Sequence, residues 1–325
     1  MKKVSILVPE SSVMQAIADP QYLFSAANQF LLSVGKSPLF EVELVGVKKQ
    51  IKLNNGMFSV HTNRLLKEVD KTDLVFIPAL FGDMTSAIAK NKTVVPWIVD
   101  QYRKGAEVAS LCVGAFLLAS TGLLNGKKCS THWGYQSEFR EMYPDVEVVE
   151  GGIVTEEERI YSSGGAHSYW NLLLYLLEKY TDRETAILAS KYFAIDIDRD
   201  SQSAFAMFKG QKSHKDKEIL KAQEYIEKNI HEKISTDELA KISAIGRRTF
   251  ERRFKDATNN SVLEYIQRIK IEAAKGQFET SRKNINEVMY DVGYTDTKAF
   301  RDLFKKLTGL TPVEYRNKYN KMAVA

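Results

Sequence analysis

The last third of the chain contains an internal repeat, and no other feature of the sequence restricts the fold as strongly. One copy reads ISTDELAKISAIGRRTFERRFKDATNNSVLEY and the other INEVMYDVGYTDTKAFRDLFKKLTGLTPVEY. At an offset of fifty residues Phe250 matches Phe300, Phe254 matches Phe304 and Lys255 matches Lys305; Thr258 matches Thr308, and Glu264-Tyr265 matches Glu314-Tyr315. Each copy runs from a short amphipathic segment through a small turn into a basic segment. This is the pattern of a helix-turn-helix, whose second helix lies in the major groove of DNA.

The residues fix the expected parts. In the first copy Ser235 with Glu238 predicts a capping box, and Leu239, Ala240 and Ile242 a buried stripe. The turn is Ala244-Ile245-Gly246. A helix over 247–257 then turns Phe250 and Phe254 inward and leaves Arg247, Arg248, Glu251, Arg252 and Lys255 on its other faces. Four arginines in this stretch favour DNA over a plain solvated surface, because Arg reads guanine or clamps phosphate. A second capping box, Ser261 with Glu264, opens a connector helix to about residue 278. In the second copy Ile285, Val288, Met289 and Val292 form the stripe, Gly293 the turn and Thr295 the cap. The helix 296–307 buries Phe300, Leu303 and Phe304 and exposes Thr297, Lys298, Arg301 and Asp302. Lys305 and Lys306 are placed for phosphate.

At 325 residues the chain has room for two cores. Charge divides unevenly between them: residues 209–325 hold 25 Lys and Arg against 17 Asp and Glu, so the excess of base lies with the repeat. The expected organisation is a first domain over 1–208, a polar linker over 209–217 and a second domain over 218–325, opened by a helix with Ile219, Ala222, Tyr225 and Ile226 on one face. No apolar run has the length of a membrane span, and MKKVSILVPE reads as a buried strand rather than a leader. Two cysteines, Cys112 and Cys129, are too few for a disulfide framework and point to a reducing cytoplasm. With His132 and His167 they lack paired ligand spacing, so neither a metal nor another cofactor is expected.

Before the repeat, strands alternate with helices. Strands are expected over 4–9, 40–47, 57–60, 73–79, 107–112, 146–149 and 160–162. Helices are expected with Pro20 in a first turn, then over 95–103, 113–120, 133–142, 168–180 and 183–193. The alternation predicts a doubly wound α/β sheet of flavodoxin-like type. One join stands out. Ser110-Leu111-Cys112-Val113-Gly114 has the small neighbours of a nucleophile elbow, where a helix N-terminus favours a thiolate. The alternative is a small buried core residue, the usual place for a free cysteine. His132 is either its partner or structural.

The segments ASLCVGAFLLASTGLLNGKKCSTHWGYQSEFREMYPDVEVV and IYSSGGAHSYWNLLLYLLEKY resemble the PfpI-like domain related to class I glutamine amidotransferases. With DVGYTDTKAFRDLFKKLTGLTPVEYR, the chain resembles GlxA-type members of the AraC family of transcriptional regulators. The resemblance implies base-facing positions at Arg248, Glu251 and Arg252 and at Thr297, Lys298 and Arg301. It also implies an acid near residue 16, where this chain has Ala16 flanked by Glu10 and Asp19, and a glycine pair where it has Ala79-Leu80. Gly246 stands where a serine cap is common, and Val262 where a proline is common; Pro312 is retained.

A cysteine without base or oxyanion donors is a poor catalyst. The first domain is therefore expected to be a sensor and dimerisation unit rather than an enzyme, with Cys112 and His132 vestigial. Its pocket wall would be Cys112, His132, Trp133, Ser163 and His167, with residues 78–81, around a small nitrogen-containing metabolite. The expected partners are promoter duplex DNA, a second copy of the chain and, as a further contact, RNA polymerase. Two other readings are kept: a cysteine-dependent hydrolase joined to a DNA-binding domain, and a dimeric DNA-binding protein without an effector. Of the two repeat copies, the arginine-rich first is expected to be the phosphate clamp.

Overall fold

Strands that are apolar throughout must be covered on both sides, and the centre of the first unit follows that rule. In a computed structural model, which describes residues 1–197, 201–212 and 214–320, Val4, Ile6 and Leu7 and all of Leu74–Ile77 are buried. The strands are β1 Lys2–Leu7, β2 Phe40–Gly46, β3 Arg64–Leu65, β4 Leu74–Ile77, β5 Glu107–Ser110, β6 Val154–Glu157 and β7 Ile160–Ser163. They form one seven-stranded sheet in the order β6-β7-β5-β4-β1-β2-β3. Val4 lies against both Val42 and Leu74, and Ile160 against Val108, all in parallel register. Within this sheet, among the described residues, β6 alone runs antiparallel, on the outer edge of β7. The sheet is thus the doubly wound, mostly parallel α/β type.

The helices of this unit are α1 Gln15–Ser33, α2 Met84–Lys90, α3 Val95–Arg103, α4 Ala115–Ala119, α5 Gln136–Met142, α6 Tyr169–Tyr180 and α7 Arg183–Phe193. Helix α1 begins before the position that Pro20 implied, so the proline lies inside the helix, with its ring buried. The predicted strand over 146–149 contracts to Glu147–Val148, which pairs with Lys128–Cys129 outside the main sheet. Strand β6 was not anticipated, because Val154-Thr155-Glu156-Glu157 lacks an apolar alternation.

The chain divides into compact units at Met1–Gln202 and Ser203–Ala325. Residues 203–208, assigned above to the first domain, belong to the second. Phe208 packs on Tyr265 with ring centroids 5.3 Å apart, and Lys275 Nζ donates to the Ala206 carbonyl at 2.5 Å. Residue 213 of the expected linker lies outside the described residues, as do 198–200 and 321–325.

The second unit is helical: α8 Lys217–Lys228, α9 Thr236–Ile242, α10 Arg247–Thr258, α11 Val262–Thr280, α12 Ile285–Asp291, α13 Thr297–Thr308 and α14 Pro312–Tyr319. It has two small cores joined by α11, which gives Tyr265, Ile266 and Ile269 to one and Ile271, Ala274 and Phe278 to the other. The repeat in sequence is a repeat in geometry. Phe254 meets Tyr265 edge-on at 5.3 Å and Phe304 meets Tyr315 edge-on at 5.4 Å. Thr258 Oγ1 donates to the Phe254 carbonyl at 2.7 Å, as Thr308 Oγ1 does to that of Phe304 at 2.8 Å. Capping boxes at Ser261 and Thr311 open α11 and α14.

Two expected caps change. Ser235 accepts from the Glu238 N–H, but the Glu238 carboxylate accepts instead from the Tyr225 hydroxyl at 2.6 Å, so the box is half made. Helix α13 is capped by Asp296, not Thr295: its Oδ1 accepts from the N–H groups of Lys298 and Ala299 at 2.8 and 3.0 Å. Thr295 and Asp296 are both good cap residues, and only the backbone at 296 decides between them.

Candidate functional site

The second unit presents two helix-turn-helix surfaces. In α10 the outward residues are Arg247, Arg248, Glu251, Arg252 and Lys255. Arg247 is held by Asp237 at 2.9 Å and by Glu251 at 3.1 Å. Arg253 forks onto Asp216, Nε to Oδ2 at 2.8 Å and Nη2 to Oδ1 at 2.7 Å, tying α10 to the start of α8. The pairing lowers the Asp216 carboxyl below its ordinary range. Two of the four arginines are thus engaged within the protein. Among the described residues, Arg248 and Arg252 carry no side-chain hydrogen bond or ion pair and stand in solvent.

In α13 the inward residues are Phe300 and Phe304, with Leu303 half-buried. Lys298, Arg301, Lys305 and Lys306 are exposed, Thr297 half so. None of their side chains has a hydrogen bond or ion pair among the described residues. Unpaired donors on the outer face of a second helix are what groove binding needs, since no internal contact must be broken first. The 19 residues of α11 make a helix about 28 Å long. A connector of that length suits two readers of adjacent major-groove segments, whose repeat is about 34 Å.

In the first unit, the strand order reverses between β1 and β4, and the crevice at such a switch point is where open α/β sheets take ligands. A groove of about 930 Å³ lies there, lined by residues 10–15, 52–56 with Phe58, and 81–83 with Ser86, Ala87 and Lys90. Phe81 is 70% exposed and forms part of its wall. Of the residues expected to line a pocket, Phe81 alone reaches this groove. Cys112, His132, Trp133, Ser163 and His167 do not line it.

Of those five, Cys112 and Ser163 meet at the elbow, and His132 and Trp133 follow Thr131, whose hydroxyl bonds to the Cys112 carbonyl. Cys112 has φ 55°, the strained conformation of such a turn. Gly114 is required by close approach, since a Cβ there would lie 2.6 Å from the Pro78 carbonyl. The expected thiolate is not favoured. Burial pushes the Cys112 thiol up to about 12, against the opposing pull of the Val113 N–H; desolvation outweighs the single amide. Ser163 Oγ accepts the Cys112 N–H at 3.1 Å. His132 Nδ1 accepts the Gly134 N–H at 3.0 Å, and burial lowers its pKa. No hydrogen bond joins His132 to Cys112 among the described residues. His167 is exposed.

The acid and oxyanion positions are closed as well. Ala16 is fully buried. Asp19 Oδ2 accepts from Tyr169 Oη at 2.5 Å and from Trp170 Nε1 at 2.9 Å, and Glu10 pairs with Lys48 at 3.0 Å. Ala79 and Leu80 are buried in a seam between the loops after β1 and β4. There Val13 N–H donates to the Ala79 carbonyl at 2.8 Å and Phe81 N–H to that of Ser11 at 2.7 Å. Cys129 is likewise a buried, protonated thiol.

Sequence reasoning missed Gln202, the last residue of the first unit. Its buried carboxamide bonds to the backbone around Thr131, Trp133, Gly152 and Gly165. Of the residues expected to form a pocket wall, Trp133 is the one whose backbone meets this side chain among the described contacts. No local pattern marks a lone glutamine for that role; the Gly164-Gly165 pair that receives it is the nearest signal.

This α/β fold with its cysteine elbow defines the class. The chain belongs to the DJ-1/PfpI family, whose profile matches residues 11–179, just over half its length. A helix-turn-helix domain matches residues 239–318, so a DJ-1/PfpI domain is followed by a DNA-binding type of domain. The chain is 27% identical over 216 residues to the HTH-type transcriptional regulator ArgR of Pseudomonas aeruginosa, covering 66% of this chain but 65% of ArgR, under two thirds of that protein. It is 23% identical over 312 residues to the regulator CdhR of the same organism, covering 96% of this chain and 90% of CdhR. The first unit shares its fold with a crystal structure described as a putative transcriptional regulator protein from Vibrio parahaemolyticus, with TM-score 0.52 and 22% identity over 59% of this chain and 98% of that one.

Proposed function

We propose that the protein is a sequence-specific DNA-binding transcriptional regulator in which α10 and α13 read promoter DNA and the first unit senses a small molecule. One observation carries the reading: two geometrically equivalent helix-turn-helix cores, tied by one rigid helix, that leave Arg248, Arg252, Lys298 and Arg301 unpaired and outward. The base-facing set is Arg248, Glu251 and Arg252 with Thr297, Lys298 and Arg301; Lys255, Lys305 and Lys306 take phosphate. Relatives named as regulators support it. The switch-point groove is the entry for the effector. A homodimer through the first unit, a contact with RNA polymerase and a cytoplasmic location complete the proposal.

The first unit is proposed to be non-enzymatic, because burial keeps the Cys112 thiol protonated at neutral pH and no hydrogen bond joins it to His132 among the described residues. Fluorescence anisotropy of the full chain with duplexes selected from a random pool tests the DNA reading. Enrichment of one motif with a steep salt dependence is expected, and failure to enrich any motif contradicts it. Thermal shift against a metabolite panel separates an effector-controlled regulator from a dimer without an effector.

A further inference from the structure

We propose that the backbone cradle around Thr131, Trp133, Gly152 and Gly165 is a binding site for small molecules bearing a primary carboxamide, held closed by the chain's own Gln202. Gln202 is 1% exposed. Its Oε1 accepts from the Gly165 N–H at 2.8 Å and the Trp133 N–H at 3.2 Å, and its Nε2 donates to the Thr131 carbonyl at 2.9 Å and the Gly152 carbonyl at 3.1 Å. Two donors and two acceptors meet the two faces of one amide, the full complement a carboxamide can make. A carboxylate would set an oxygen against two carbonyls, and an ammonium would leave two N–H groups unpaired. The cradle thus selects the amide group itself.

The surrounding sequence is shaped to admit that group. A Cβ at Gly164 would lie 2.4 Å from Gln202 Nε2, and one at Gly165 would lie 3.2 Å from Oε1. A Cβ at Gly152 would meet Ser130 Oγ at 3.0 Å, and Ser130 Oγ is itself buried without a partner. The cradle adjoins the elbow, since Thr131 Oγ1 donates to the Cys112 carbonyl at 3.2 Å. A donor-acceptor site made of main chain, opened by three glycines, does not depend on which molecule supplies the amide.

The position of Gln202 gives the site a consequence. Gln202 N–H donates to the Gly151 carbonyl at 2.8 Å and Ser201 bridges Gly152, so the end of the first unit is fastened to the cradle. Ser203, the next residue, begins the second unit. A carboxamide that takes the cradle must expel the Gln202 side chain, and so removes the four side-chain bonds that help to fasten the end of the first unit. This step rests on the regulator reading; the binding site does not.

The test uses the full chain, Gln202→Ala and propionamide, with propionate and propylamine as controls. Q202A is expected to melt below the wild type and to regain stability saturably with propionamide and with neither control. Wild type is expected to bind propionamide at least tenfold more weakly, because its own amide competes. Equal affinity in both proteins, or a response that does not distinguish amide from acid and amine, overturns the proposal. If Q202A does not fold, hydrogen exchange on the wild type decides. Millimolar propionamide should speed exchange at 201–205 while the Trp133 and Gly165 amides stay protected; unchanged exchange overturns it. Absence of DNA binding in every sample would strike the regulator reading alone, since amide binding is read without DNA.

Discussion

The two helix-turn-helix halves have the same core and different edges. Their buried rings superpose in kind, Phe250, Phe254 and Tyr265 against Phe300, Phe304 and Tyr315. At the turn, Ala244 takes φ 51° where Gly293 takes φ 73°. At the N-terminus of the second helix, Gly246 offers no side-chain cap where Asp296 caps two amides. The first half spends Arg247 and Arg253 on Asp237, Glu251 and Asp216, whereas no cationic side chain of α13 is paired among the described residues. A duplicated core fixes where a reading helix sits; the edges decide how firmly it is held and what it has left for DNA. The arginine excess that marked the first copy as the clamp is halved by these pairs.

Substitutions at matching positions should break this comparison in opposite directions. The largest effect is expected for Gly293→Ala, where a Cβ would lie 2.5 Å from the His231 carbonyl as well as at positive φ; the loss should exceed about 2 kcal/mol in chemical denaturation. Asp216→Ala removes both the cap of α8 and the fork to Arg253, and should cost about 1–2 kcal/mol. The same pair predicts a pH effect. Because the folded Asp216 pKa is depressed, its contribution is present above the ordinary carboxylate range and is lost as pH falls through the folded value. Amide exchange in α8 and α10 should therefore rise in acid before that in α13. Asp296→Ala should cost about 1 kcal/mol. Ala244→Gly should stabilise by about 0.5–1 kcal/mol by relieving positive φ.

Much of this was legible beforehand because local signals agree with the fold. The spacing of Phe250, Phe254 and Tyr265 gave the core, Ser261 with Glu264 gave the start of α11, and Val95–Arg103 and Arg183–Phe193 were bounded by their own periodicity. What was missed depends on partners far along the chain. Asp216 is 37 residues from Arg253, so nothing in RRTFERRF separates its paired from its free arginines. Gln202 meets Thr131 across 71 residues, and the elbow sequence carries no sign that burial would outweigh the helix end at Cys112. Thr295 and Asp296 were a near tie in chemistry, settled by backbone geometry.

The central claim is that the free side chains of α13 read bases. Arg301→Ala in the full chain, measured by anisotropy on a selected duplex and on a random one, tests it most directly. A loss of about 1–3 kcal/mol on the selected duplex, with binding to random DNA retained, is the predicted result. Equal losses on both duplexes, or no loss on either, would contradict it.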